Sequence, residues 1–142
     1  MSTDLTPGGL MAKASRACVS ARLLLDAGDV DGACNRAYYA MFDAARAALL
    51  AANVPVPANI GRTHGGLIAA FGLHLVKNGP VSNELGRALN RAEEIRLVAD
   101  YKGESVEPRD AREMVEQAEM FMRAMRATFM PDLPAADECR RP

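Results

Sequence analysis

The sequence predicts an all-α protein, an up-and-down bundle of four to five helices. Three observations carry that prediction. Alanine, the best helix former, occurs 26 times in 142 residues, while tryptophan is absent and only three Tyr and four Phe are present. Apolar residues recur at 3.6-residue spacing through several long segments. Short connectors bearing Gly, Pro or Asn separate those segments, which suits helices packed as antiparallel neighbours.

Residues 1–9, ending in Pro7-Gly8-Gly9, read as a flexible lead. A first helix follows from about Leu10 to Ala27, with an apolar stripe of Ala14, Ala17, Cys18, Ala21, Leu24 and Leu25, and Gly28 as its stop. Asp29 and Asp31 offer caps for a second helix, about Val30 to Ala52. That helix is the most apolar part of the chain, the centre of the bundle or of an interface. Asn53-Val54-Pro55-Val56-Pro57 is an extended connector, because the residue before each proline is steered away from helix. A third helix spans Gly61 to Asn78 with Thr63 as N-cap, and its Gly65, Gly66 and Gly72 imply close backbone packing. His74 on this helix reads as a buried, hydrogen-bonded imidazole. Gly79-Pro80 ends it.

Ser82 caps a fourth helix to about Asp100, with Leu85, Ala88, Leu89, Ala92, Ile95 and Ala99 inward. Arg96 and Asp100 stand four apart, the spacing of a helical ion pair that staples the helix end. Pro108 opens a fifth helix with the cleanest stripe: Ala111, Met114, Val115, Ala118, Phe121, Met122, Met125 and Phe129. Its other face is charged, with Glu113, Glu116, Glu119 and Arg123. Residues 10–129 therefore form the bundle, and 130–142, rich in proline and polar residues, form a disordered tail.

One core fits this length. Seventeen Lys and Arg against eighteen Asp and Glu give a formal charge of −1, which excludes a polybasic coat protein but leaves room for a local RNA site. The longest apolar stretch, Ala44 to Ala52, is broken by Arg46 and is far short of the roughly 20 residues of a membrane span. The N-terminus carries Asp4 and no basic cluster, so the chain reads as cytoplasmic rather than secreted. Cys18, Cys34 and Cys139 lack metal-ligand spacing and read as reduced thiols.

The usual catalytic sets are missing: no phosphate-cradling glycine loop, no Cys-x-x-Cys, no His-Glu-x-x-His and no nucleophile elbow. Two histidines cannot supply a multi-histidine metal site in one subunit, and no residue pattern calls for a cofactor. What stands out is polar chemistry inside the apolar second helix. Arg36 and Asp43 are seven residues apart, so they share a face about 10 Å apart along the axis. They reach neighbouring helices or a second copy of the chain, where an antiparallel two-fold pairing would set each Arg36 against the other Asp43. His64, with Arg62 and Thr63 beside it, lies at a helix N-terminus, which is either a surface cap or an anion site.

Several runs together resemble one family. They are Asn35-Arg36-Ala37-Tyr38-Tyr39-Ala40-Met41-Phe42, Thr63-His64-Gly65-Gly66-Leu67, Phe71-Gly72 through Val76-Lys77-Asn78-Gly79, Leu85-Gly86, and Ile95-Arg96 with Ala99-Asp100-Tyr101. In order and spacing this pattern is similar to the HEPN domains (higher eukaryotes and prokaryotes nucleotide-binding), in their small stand-alone prokaryotic branch. The resemblance implies a helical bundle that works as a homodimer. It implies metal-independent endoribonuclease activity in active members, from an Arg and a His a few residues later, with both subunits' motifs in one cleft. It further implies toxin or defence roles and a minimal nucleotidyltransferase as frequent partner.

Arg36 matches the motif Arg, but Asp43 stands where the motif has His. A histidine accepts or donates a proton near neutral pH, whereas an ordinary aspartate is a weak base and almost never a donor there. The resemblance thus carries Arg36 and the altered Asp43 as catalytic positions, and Asn35, Tyr39, Arg62 and His64 as binding positions. Three readings compete: an RNA- or nucleotide-associated member of a toxin–antitoxin or defence pair with weakened or lost nuclease activity, an active metal-independent RNase using Asp43 or His64, and a non-catalytic partner of a nucleotidyltransferase.

Overall fold

The computed structural model describes residues 6–55, 63–101 and 106–133. Helix α1 runs over Pro7–Asp26, α2 over Val30–Ala51 and α3 over His64–Phe71. A π-helical turn, Gly72–Lys77, continues α3, followed by α4 at Asn83–Tyr101 and α5 at Pro108–Phe129. Among the described residues there is no strand, and the architecture is the all-α bundle expected.

Local chemistry sets the helix ends. The Thr6 hydroxyl accepts from the Gly9 N–H at 2.9 Å and Pro7 fills the first helical position, so α1 begins inside the segment expected to be a lead. At its far end Gly28 takes φ +90°, while the N–H groups of Gly28 and Asp29 return to the carbonyls of Leu25 and Leu24. Asn53, at φ 58°, closes α2 in the same way. The side chains of Asp29, Thr63 and Ser82 cap α2, α3 and α4 by accepting from Gly32, Gly66 and Leu85. Asp31 instead accepts the Val106 N–H at 3.0 Å, tying the approach to α5 onto the start of α2.

α2 is the centre of the bundle. It packs most extensively on α1, then on α5 and α4. Its alanines at 33, 37, 40, 44, 45, 47 and 48 are fully buried, and small side chains let neighbouring helices approach closely. Tyr38, Met41, Phe71, Phe121, Leu10 and Met11 fill the remaining space, with the Phe71 and Phe121 rings 5.6 Å apart. Each such side chain contributes about 1.5–3 kcal/mol by leaving water. Met114, Met122 and Met125 are core, as the stripe on α5 predicts.

Four expectations need correction. The third helix is not α-helical to Asn78; it changes to i→i+5 bonding at Gly72. A π turn holds more residues than an α turn, so Leu75 stays inward and His74 turns outward and is exposed. His74 is therefore not a buried imidazole. Gly65 and Gly72 do not mark tight packing either, for a Cβ at either would meet nothing within 4 Å. The close approaches are at Gly79, where a Cβ would lie 2.7 Å from the His74 carbonyl, and at Gly86, 3.1 Å from Val76. Finally, Glu119 does not belong to a solvated face. It is 8% exposed and holds Arg22 of α1 through two hydrogen bonds, 2.7 and 3.1 Å long.

The chain turns after Phe129, and Leu133 packs against the core, so ordered contacts reach beyond residue 130. Cys139 and the remainder of the expected tail lie outside the described residues.

Candidate functional site

Although α2 is central, one stripe of it is not sealed. Arg36, Tyr39, Asp43 and Arg46 are half-buried and Leu50 is exposed, at alternating spacings of three and four residues. Along this stripe α1 and α2 enclose an open cleft of ≈ 350 Å³, lined by Lys13, Arg16, Ala17 and Ser20 from α1 and by Arg36, Tyr39, Phe42 and Asp43 from α2. Seven residues separate Arg36 from Asp43, and both line this cleft as the spacing predicts. Lys13, Arg16 and Ser20 are members that sequence reasoning missed.

Arg36 is oriented by its neighbours on α2. Asn35 Oδ1 accepts from Arg36 Nε at 3.3 Å and Nη2 at 3.2 Å, and the guanidinium carbon stands 5.3 Å from the Tyr39 ring centroid. Asn35 and Tyr39 thus hold the arginine, one by a carbonyl and one by a π face. Among the described residues the ion pairs are Arg22–Glu119 and Arg96–Asp100, so Arg36 and Asp43 do not pair within the subunit. Burial pushes the Asp43 carboxyl above its ordinary value, against the opposing pull of Lys13, Arg46 and Arg36.

His64 joins an aromatic cluster at the edge of this stripe. Its ring stacks on Phe42 at 4.7 Å and on Tyr38 at 5.4 Å, and meets Tyr39 edge-on at 5.7 Å. Tyr38 Oη lies 2.6 Å from His64 Nδ1. Burial and the positive Arg96 lower the His64 pKa, with Glu93 opposing. Arg96 is itself 7% exposed, its guanidinium carbon 4.8 Å from the Tyr38 ring centroid, and it makes the expected pair with Asp100 at 3.1 Å. Hence His64 is neither a bare surface cap nor an imidazole in the cleft wall. Tyr38 and Arg96 are further residues that sequence spacing did not assign to the site. Arg62 lies outside the described residues.

The buried thiols offer no competing chemistry. Cys18 and Cys34 are buried, and burial with Asp31 and Asp110 nearby pushes Cys34 up to about 11. Among the described residues no helix is long and apolar enough to cross a membrane.

The HEPN domain family matches this chain over residues 9–128. The chain belongs to the HEPN family. A UPF0332 protein of Gloeobacter violaceus is 37% identical over 115 residues, covering 80% of this chain and 87% of its own. A UPF0332 protein of Thermotoga maritima is 38% identical over 114 residues, covering 78% of this chain and 82% of its own. A Methanocaldococcus jannaschii protein named as a candidate toxin is 34% identical over 87 residues, 61% of each chain. The HEPN match takes in all five helices described above but for the first two residues of α1 and the last of α5, so the cleft between α1 and α2 belongs to the HEPN domain and not to an appendage.

Proposed function

We propose that this HEPN protein is the RNA- or nucleotide-associated member of a toxin–antitoxin or defence-type pair, acting in the cytoplasm as a homodimer, with nuclease activity weakened or lost at Asp43. The candidate-toxin relative supports the toxin-like part of this reading. One observation carries the rest: the cleft holds Lys13, Arg16 and Arg36 beside Tyr39 and Phe42, and a carboxylate, not an imidazole, stands among them.

Three cationic side chains attract a phosphodiester, and aromatic faces accept a base by stacking. Cleavage needs more. A group must take the proton from a ribose 2′-hydroxyl and another must give one to the leaving oxygen. Loss of one such group typically costs roughly 10²–10⁴ in rate. Asp43 brings negative charge towards the scissile phosphate instead. The half-open α2 stripe is the face on which a second copy would lie, bringing Arg36 of one protomer to Asp43 of the partner subunit.

The test is an RNase assay in EDTA on the native protein and on Asp43→His. Cleavage by the variant alone supports the reading: the scaffold is intact and the native protein binds without cutting efficiently. Efficient cleavage by the native protein overturns it. Binding is measured separately by fluorescence anisotropy with a short RNA at low salt. Affinity that falls with salt and with Arg36→Ala is expected, and no binding by RNA or nucleotide overturns the ligand. Co-expression with the product of a neighbouring gene tests the pair, and failure to co-purify counts against it.

A further inference from the structure

His64 is the imidazole nearest the cleft, and its state decides what it contributes there. Tyr38 Oη and His64 Nδ1 are 2.6 Å apart, so one hydrogen lies between them. Either atom could own it. Burial decides the ownership. Tyr38 is fully buried, and among the described residues its hydroxyl has His64 Nδ1 as its hydrogen-bond partner. A buried phenol hydrogen left without an acceptor is costly, so it goes to the acceptor in reach. The single phenol hydrogen is then directed at Nδ1, and a neutral imidazole whose Nδ1 accepts carries its hydrogen on Nε2.

We propose that the buried Tyr38 is a positioning residue that fixes His64 as the Nε2–H tautomer, so that His64, adjoining the cleft through Tyr39 and Phe42, offers a phosphodiester bound there a hydrogen-bond donor and not a proton acceptor. This deepens the functional reading above and rests on the cleft being a nucleic-acid site. It also closes a route by which the chain would compensate for Asp43. With Nδ1 engaged by Tyr38 and Nε2 already protonated, the ring has no free lone pair with which to activate a 2′-hydroxyl.

The surroundings agree. Among the described residues, Tyr38 and Tyr39 from α2, and Glu93 and Arg96 from α4, are the titratable and charged groups facing this imidazole. Protonating His64 would place an N–H against the Tyr38 O–H and a second positive charge near Arg96. Burial and Arg96 favour the neutral ring, and Glu93 only partly offsets them. The stack on Phe42 and Tyr38 restricts rotation that would exchange the two nitrogens.

The experiment is ¹⁵N NMR of the imidazole nitrogens in the ligand-free native protein, with His74→Gln to assign the signals. A pyrrole-type Nε2 and a pyridine-type Nδ1 are expected for His64. A pyrrole-type Nδ1 overturns the proposal. Tyr38→Phe is the second arm. It should release the ring into a tautomer mixture and move the His64 titration midpoint up by about one pH unit, the size of one lost hydrogen bond. An unchanged midpoint and an unchanged tautomer overturn the proposal. The first arm leaves Tyr38 and Arg96 in place, so it does not depend on Tyr38→Phe folding. Both arms omit RNA, so a failure of nucleic-acid binding and a failure of the tautomer assignment are read independently.

Discussion

The half-open stripe on α2 makes a quantitative prediction about a second copy of the chain. In an antiparallel two-fold pairing that brings residue 36 to residue 43, the axis passes between Tyr39 and Ala40. Arg36 and Asp43 are about 10 Å apart along their own helix, so the two reciprocal contacts are separate and each occurs once per half. Both side chains are half-buried. A contact of that exposure is worth about 1 kcal/mol, at the upper end of the exposed range, and two give about 2 kcal/mol. Reversing one charge replaces two attractions with two repulsions of similar size, a change of about 4 kcal/mol. That is a weakening of roughly 10³ in dimer affinity. Arg36→Asp and Asp43→Arg should each show it by sedimentation equilibrium, and the double variant should recover to within about tenfold of the native protein. A native protein that stays monomeric at micromolar concentration refutes the pairing. Losses that simply add in the double variant refute the register, because they show that the two residues do not meet.

Three shorter predictions follow from the same geometry. Asp43 carries a carboxyl whose folded pKa is raised, so the native state binds its proton more tightly than the unfolded chain does. Stability from this group is therefore lost as pH rises through the window from the unfolded value to the raised folded value. Asp43→Asn should raise Tm at pH 7, and the gain should vanish in acid below the ordinary carboxylate value; a lower Tm at pH 7 would contradict the burial cost. Lys13→Gln and Arg16→Gln should each reduce the slope of log affinity against log salt for single-stranded RNA by about 0.7, and an unchanged slope would place the phosphates elsewhere. Phe121→Ala, at a fully buried site against Phe71, should cost about 3–5 kcal/mol and roughly 10–20 °C in Tm by calorimetry, and a loss under 1 kcal/mol would mean the bundle collapses into the space.

The parts of this fold legible in the sequence are those whose causes are local. Thr63 and Ser82 cap their helices because a side-chain oxygen needs only an N–H three residues on. Gly28 ends α1 because the left-handed turn suits a residue without Cβ. Arg36 and Asp43 line one cleft because helical spacing alone fixes a shared face. Other features depend on distant chain. Glu119 reads as solvated until Arg22, 97 residues earlier, is beside it. Nothing in Gly72–Lys77 announces i→i+5 bonding, so α-helical spacing puts His74 on the wrong face. Lys13 and Arg16 are ordinary outward residues of α1 until α2 turns its polar stripe towards them. The Tyr38–His64 contact joins residues 26 apart through a connector whose path no local rule fixes.

The cleft separates two requirements that a nuclease normally meets together. Binding a phosphodiester asks for positive field, and the lining supplies three cations against one carboxylate, a local charge of +2 in a chain whose total is −1. Cleaving it asks for proton transfer at two atoms, and that depends on which groups are free to change protonation near neutral pH. Asp43, even with its pKa raised, is flanked by Lys13, Arg46 and Arg36, all of which favour the charged form. Burial and Arg96 bias His64 towards the neutral ring, and its Nδ1 lies 2.6 Å from Tyr38 Oη. On the proposed reading the field survives without the proton relay. Asp43→His restores only the relay, so it should change cleavage far more than affinity, while Arg36→Ala should reduce both.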